Sequence, residues 1–143
     1  MDTVEQVLDA KGRDAYSVSP GASVFEALEL MAEKNVGALL VLDAGKLVGI
    51  FSERDYARKV ALEGKVSKTT KVRDIMSSKV LCVELKHTMP QCLALMTDKH
   101  LRHLPVWEGG KVLGVISIGD AVGSIISEQE FMLGQLERYI SGT

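Results

Sequence analysis

The sequence predicts an α/β (α+β) fold of two β-α-β-β-α units, related by pseudo-two-fold symmetry and packed through their sheets. Three observations carry this expectation. A seven-residue pattern is written twice, Gly49-Ile50-Phe51-Ser52-Glu53-Arg54-Asp55 and Gly114-Val115-Ile116-Ser117-Ile118-Gly119-Asp120, 65 residues apart. The same register carries Leu28, Leu30, Met31, Lys34, Leu39, Val41, Gly45 and Lys46 onto Leu93, Leu95, Met96, Lys99, Leu104, Val106, Gly110 and Lys111 without a gap. Each copy also holds two apolar runs joined by a turn, Ala38–Leu42 with Leu47–Phe51 and Leu104–Trp107 with Val112–Ile116, suited to strands covered on both faces. One such unit is small for an independent core, so the repeats are expected to work as a pair.

The elements follow in order. Thr3-Val4-Glu5-Gln6 has the form of a capping box, and Val4, Val7 and Leu8 share a face, which predicts a short helix ending near Gly12. Tyr16–Ser19 reads as a short strand, broken by Pro20-Gly21. Ser23-Val24-Phe25-Glu26 opens a helix with Val24, Ala27, Leu28 and Met31 at helical spacing, stopping near Asn35–Gly37. Asp43–Lys46 is a hairpin turn, and Ser52 starts a helix through Tyr56, Ala57 and Val60. The polar stretch 64–70 reads as a linker, and Val72–Met76 as a helical turn matching the one near Val4. In the second unit Val80–Val83 is expected as a strand, and Thr88-Met89-Pro90-Gln91 as a helix start with proline tolerated in its first turn. Gly109-Gly110 turns a hairpin and Ser117 starts a helix. Ser127-Glu128-Gln129-Glu130 is expected to cap a separate final helix with Met132, Leu136, Tyr139 and Ile140 on one face. The organisation expected is 1–63, linker 64–70, 71–127 and a C-terminal helix 128–143.

Composition narrows the function. The 143 residues are 46% hydrophobic and 25% charged, enough for a compact domain with a real core. A net charge of −2 offers no basic field for nucleic acid, and 5% aromatics offer few base-stacking platforms. Cys82 and Cys92 lack metal-ligand spacing and are expected as buried free thiols, which fits a reduced, cytoplasmic compartment. No apolar run is long enough for a bilayer, and the N-terminus lacks a signal-peptide pattern.

With both Gly-h-h-Ser-x-x-Asp segments, with Val72-Arg73-Asp74-Ile75-Met76 before the second copy and with Arg102-His103-Leu104-Pro105-Val106, the chain resembles the cystathionine-β-synthase (CBS) domain. Nearly all of it is similar to one tandem CBS pair, or Bateman module. Ser52–Tyr56, Ser67–Thr70 and Ser117–Asp120 further resemble stand-alone CBS-pair proteins of bacteria and plant organelles. The resemblance implies binding of adenosine-containing ligands (AMP, ADP, ATP, NAD(H) or S-adenosylmethionine) in clefts between the units. In that family the motif aspartate holds the ribose hydroxyls, the motif serine lies near phosphate, and backbone of the first and second strands reads adenine. This carries over to Ser117, Gly119, Asp120, Leu101, Arg102, His103, Val80, Cys82, Lys68 and Thr70 for the second copy. For the first it carries over to Ser52, Arg54, Asp55, Val36 and Ala38. No catalytic residue, metal ligand or catalytic cofactor is implied.

The chemistry is coherent. A carboxylate is acceptor-only and can receive both donors of a cis-diol. A serine where strand gives way to helix sits beside free N–H groups that favour an anion, and Arg102 offers a bidentate phosphate contact. Ser52-x-x-Asp55 and Ser117-x-x-Asp120 are equally capping boxes, and one helix start can serve both purposes. Arg54 reads as a phosphate contact or as a solvated charge. Where the second copy has Arg102 and His103 the first has Gly37 and Ala38, so the second site is expected to be the stronger. His87 and His100 read as surface residues, Trp107 as core or interface, and Met76, Met89 and Met96 as core.

The leading function is a regulatory module that binds an adenine nucleotide and signals its occupancy to a regulated protein of unknown identity. The alternatives are a nucleotide-processing enzyme using Asp55, Asp120, His103 or Cys82, for which no nucleophile–base pair or phosphate-binding loop is visible, and a structural dimerisation module with vestigial clefts. A homodimer is expected through Tyr56, Ala57 and Val60 and through Ala121, Val122, Ile125 and Ile126. No nucleic-acid or membrane partner is expected.

Overall fold

A computed structural model describes the backbone from Met1 to Ser141 and the side chains to Glu137. The elements in order are α1 (Val4–Lys11), β1 (Ser17–Val18), α2 (Val24–Lys34), β2 (Ala38–Asp43), β3 (Lys46–Ser52) and α3 (Glu53–Tyr56), which runs into a π-helical turn (Ala57–Ala61). Then come α4 (Val72–Ile75), α5 (Met89–Lys99), β4 (His103–Glu108), β5 (Lys111–Ser117) and α6 (Ile118–Ser141). The mixed α+β fold expected from the repeats is the fold observed.

The compact units cut across the sequence repeats. One is Ala15–Leu81; the other joins Met1–Asp14 to the chain from Cys82 onward. Helix α1, which opens the first repeat in sequence, therefore packs its Val4 and Leu8 into the second repeat's core, beside Met89, Cys92, Met96, Leu104 and Ile116. Its counterpart α4 packs Val72 and Ile75 into the first repeat's core, with Val24, Met31, Leu39 and Phe51.

In the unit Ala15–Leu81, β1 pairs parallel with β2, and β2 pairs antiparallel with β3. The hairpin turns at Ala44 and Gly45, with φ of 51° and 80°, the left-handed pair that a two-residue hairpin turn requires. Ser23 caps α2 by accepting from Glu26 N–H. Stretch 64–70, expected as a linker, docks on the same helix end: the carbonyls of Ser67 and Thr70 accept from Phe25 and Val24 N–H at 3.0 and 2.8 Å. It thereby closes amides the helix leaves unpaired.

In the other unit β4 and β5 form the matching hairpin, turned by Gly109 and Gly110. The strand expected at Val80–Val83 does not form; Val83 makes one parallel bridge to Val106. The reason is Pro105. In the first repeat Leu40 N–H donates to Tyr16 C=O at 3.0 Å and extends the β1 ladder. Pro105 is the matching residue, and it has no N–H to give.

Two further expectations are corrected. Helix α6 is continuous from Ile118 to Ser141, with no new start at Ser127; Ser127 is exposed, and nothing in the chain around it breaks the helical ladder. Cys82 is exposed, whereas Cys92 is buried as expected and its thiol is pushed up to about 11 by burial. The Tyr139 and Ile140 side chains, expected on the last helical face, lie outside the described residues.

Candidate functional site

Each motif builds a corner where a strand turns into a helix. In the first, Asp55 Oδ2 accepts from Ser52 N–H at 3.0 Å and from Ser52 Oγ at 3.1 Å, while Asp55 N–H donates back to Ser52 Oγ at 3.1 Å. Glu53 N–H donates to Gly37 C=O at 3.0 Å. The second corner repeats the plan: Ser117 N–H donates to Asp120 Oδ2 at 2.8 Å, Asp120 N–H to Ser117 Oγ at 3.1 Å, and Ile118 N–H to Arg102 C=O at 2.8 Å. The reciprocal bonds expected of a capping box are thus present in both. They also correct one expectation: the amides of Ile118 and Asp120 are already engaged, so this helix start offers an anion fewer free N–H groups than the sequence suggested.

The motif glycine serves packing. A Cβ on Gly114 would lie 2.8 Å from Leu8 Cδ2, and one on Gly49 would lie 2.6 Å from Met76 Sδ and 3.0 Å from Ser77 O. Gly114 thereby lets α1 lie directly against β5, and Gly49 lets the chain just after α4 lie directly against β3.

The two carboxylates differ in their counter-ions. Asp55 pairs with Lys59, one turn along its own helix, at 3.4 Å. Asp120 pairs with Lys11 at the end of α1, whose Nζ reaches both Asp120 Oδ2 and Val115 C=O at 2.6 Å. Lys11 was not among the residues the sequence singled out. The corresponding carbonyl of the first repeat, that of Ile50, is met instead by Ser77 N–H at 2.9 Å.

Burial alone would raise the Asp120 carboxyl. The hydrogen bond and charge of Lys11, with the amide and hydroxyl of Ser117, outweigh it and hold the group below its ordinary 3.8. His103 lies opposite Ser117 across the β4–β5 ladder. Burial first, then the Lys11 and Arg102 charges, depress its pKa below 6.5 against the opposing pull of Asp120. These effects favour the neutral imidazole.

Beside this corner an open groove of about 460 Å³ runs between α1 and α6, lined by Gln6, Ala10 and Lys11 on one wall and Gly119, Asp120 and Ser124 on the other. The structure brings Lys11, His103, Ser117, Gly119 and Asp120 together within one unit, with Leu101 and Arg102 leading into β4. Arg102 is exposed. Cys82 belongs to this unit and is exposed.

Val36, Ala38, Ser52, Arg54, Asp55, Lys68, Thr70 and Val80 belong to the other unit. There Lys68 Nζ sits 4.9 Å above the Phe25 ring, and Thr70 Oγ1 donates to Val66 C=O at 2.7 Å, so both side chains have local partners. Arg54 is half-buried in the first turn of α3. Among the described residues no three His, Cys, Asp or Glu side chains gather as a metal site, and no helix is long and apolar enough to cross a membrane.

Comparison with known proteins fits this geometry. The CBS domain model matches twice, at residues 4–62 and 72–127. The CBS domain-containing protein CBSX3, mitochondrial, of Arabidopsis thaliana is 37% identical over 98% of this chain and 72% of its own. A solved structure of a putative signal-transduction protein with CBS domains from Burkholderia ambifaria MC40-6 is 51% identical, with a TM-score of 0.86 over 90% of this chain and 96% of the other. A hexameric CBS-CP12 protein from bloom-forming cyanobacteria matches with a TM-score of 0.77 at 27% identity, over 85% of this chain and 70% of its own. No catalytic family is indicated by these matches. With both repeats matched and both serine–aspartate corners formed, the chain belongs to the CBS-domain family and is a tandem pair of the Bateman type.

Proposed function

We propose that this protein is a regulatory sensor, acting without turnover. It binds an adenosine-containing ligand such as AMP, ATP or NAD(H) at the Asp120 corner, with the Asp55 corner as the weaker counterpart. The observation that carries the reading is the duplicated corner itself, in which a serine and a carboxylate are locked at a strand–helix junction. At Asp120 the hydrogen bonds from Lys11 Nζ and Ser117 N–H both fall on Oδ2, which supports the carboxylate's other oxygen as the acceptor for a ligand hydroxyl. His103, whose neutral form its surroundings favour, adds a ring nitrogen that accepts and one that donates in that form. The likeness to a protein described as a signal-transduction protein supports a regulatory role.

Occupancy is passed to a regulated protein, and the sensor works as a homodimer in the cytoplasm. The dimer reading is supported by the exposed apolar residues of α6, among them Val122, Ile126, Leu133 and Leu136. Calorimetric titration with AMP, ATP and NADH tests the binding. Saturable binding without product formation is expected, and no heat and no thermal shift from any adenine ligand would leave a structural dimerisation module as the better reading.

A further inference from the structure

We propose that Lys11 makes the Asp120 corner prefer phosphorylated adenosine ligands over uncharged adenosine. The inference rests on the adenosine-binding reading of that corner and adds to it a residue and a selectivity.

The argument starts from charge. The groove between α1 and α6 is lined by two carboxylates, Asp2 and Asp120, and among its described lining residues Lys11 is the one basic side chain. A carboxylate suits ribose hydroxyls and repels the phosphate attached to them. Within a few ångströms that repulsion is large enough to decide binding. Lys11, 2.6 Å from Asp120, cancels it.

Lys11 is also held so that a ligand adds to it and does not replace it. Its ammonium gives one N–H to Asp120 Oδ2 and one to Val115 C=O, and an ammonium has three. Displacing Lys11 would strip its donor from the Val115 carbonyl on the outer side of β5, where in the first repeat a backbone amide does the same work. The lysine also leaves Asp120 Oδ1 to the ribose. The arrangement therefore supplies a ribose acceptor and a phosphate-tolerant charge side by side.

The test is calorimetric titration of the full chain with adenosine and with AMP, for wild type, Lys11→Met, Lys11→Gln and Lys11→Arg. Wild type should bind AMP more tightly than adenosine. Lys11→Met and Lys11→Gln should weaken AMP by roughly three- to tenfold and move adenosine by less than about twofold, the scale of one partly screened charge contact. Lys11→Arg should keep the preference. Should Lys11→Met fail to fold, Lys11→Gln retains a donor for Asp120, and the wild-type preference for AMP should itself shrink as salt is raised. An AMP-to-adenosine ratio that does not move in the charge-removing variants overturns the inference, as does tighter AMP binding in Lys11→Met, which would mark Lys11 as a plug. If wild type binds neither probe, the adenosine-binding reading fails and takes this inference with it; if it binds both and only the ratio is unmoved, the reading stands and Lys11 has no part in it.

Discussion

Leu8 of α1 lies over Gly114 of β5, so closely that a methyl group on the glycine would come within 2.8 Å of the leucine's Cδ2. Leu8 is fully buried, so it has little room to yield. Gly114→Ala should cost about 1–3 kcal/mol, as overpacking of a filled core does. Leu8→Ala alone should cost about 2–5 kcal/mol through the cavity it leaves. The double variant should be more stable than the sum of the two losses implies, because the second change makes room for the first. Denaturant melts of the four proteins check this, and simple additivity would mean that the two positions do not share the space.

The first hairpin turn carries a strain that the second avoids. Ala44 holds φ at 51°, where the second hairpin has Gly109 at 64°. Ala44→Asn places Asn-Gly, the favoured pair for this turn, in the same backbone and should stabilise the protein by roughly 0.5–1 kcal/mol. A lower melting temperature in Ala44→Asn would contradict it.

The Asp120 carboxyl should leave its mark on acid stability. Its folded pKa is depressed, so the folded state binds a proton there more weakly than the unfolded chain does. The stability this adds is present above the ordinary value of 3.8 and is lost as pH falls through the lower folded value. The stability gap between wild type and Asp120→Asn should therefore narrow as pH is taken from neutral to below 3.8. Denaturant midpoints across that range measure it; a gap that is flat with pH would mean that the carboxylate gains nothing from Lys11 and Ser117.

His103 reports on the same cluster from the other side. After burial, the Lys11 charge is the next cause of its depressed pKa. Lys11→Met should raise the titration midpoint of His103, followed by its imidazole proton resonances. An unchanged or lower midpoint would separate the two residues electrostatically.

For the proposed ligand, Asp120→Ala should weaken binding by about 1–3 kcal/mol, the range for hydrogen bonds to a charged group. Asp55→Ala should weaken it less. Titration calorimetry on the two variants decides, and the reverse order would place the principal site at the first corner.

Oligomeric state has a direct check. Ile126 and Leu133 on α6 are 48% and 59% exposed, and the paired substitutions Ile126→Glu and Leu133→Glu should shift a sedimenting dimer toward monomer. A wild-type monomer at every concentration would remove the dimer from the proposal.

The sequence by itself determined what is local or repeated. The two hairpins were legible because each is a run of apolar residues around a turn that needs left-handed backbone. The starts of α1, α2, α5 and both motif helices were legible because a cap and its partner are three residues apart. The pairing of Ser117 with Asp120, and of Ser52 with Asp55, followed from the same short spacing. Only the tertiary structure decided what depends on neighbours distant in the chain. It joined α1 to the second repeat's core, where Leu8 meets Gly114. It ended the Val83 ladder at Pro105, because a strand needs a donor on the next strand as well as a pattern of its own. It carried α6 through Ser127, since an exposed cap residue does not stop a helix whose backbone ladder is intact. And it brought Lys11 to Asp120 across 109 residues of chain, a contact made by the packing of α1 against β5 and α6, which no periodicity or spacing in the sequence encodes.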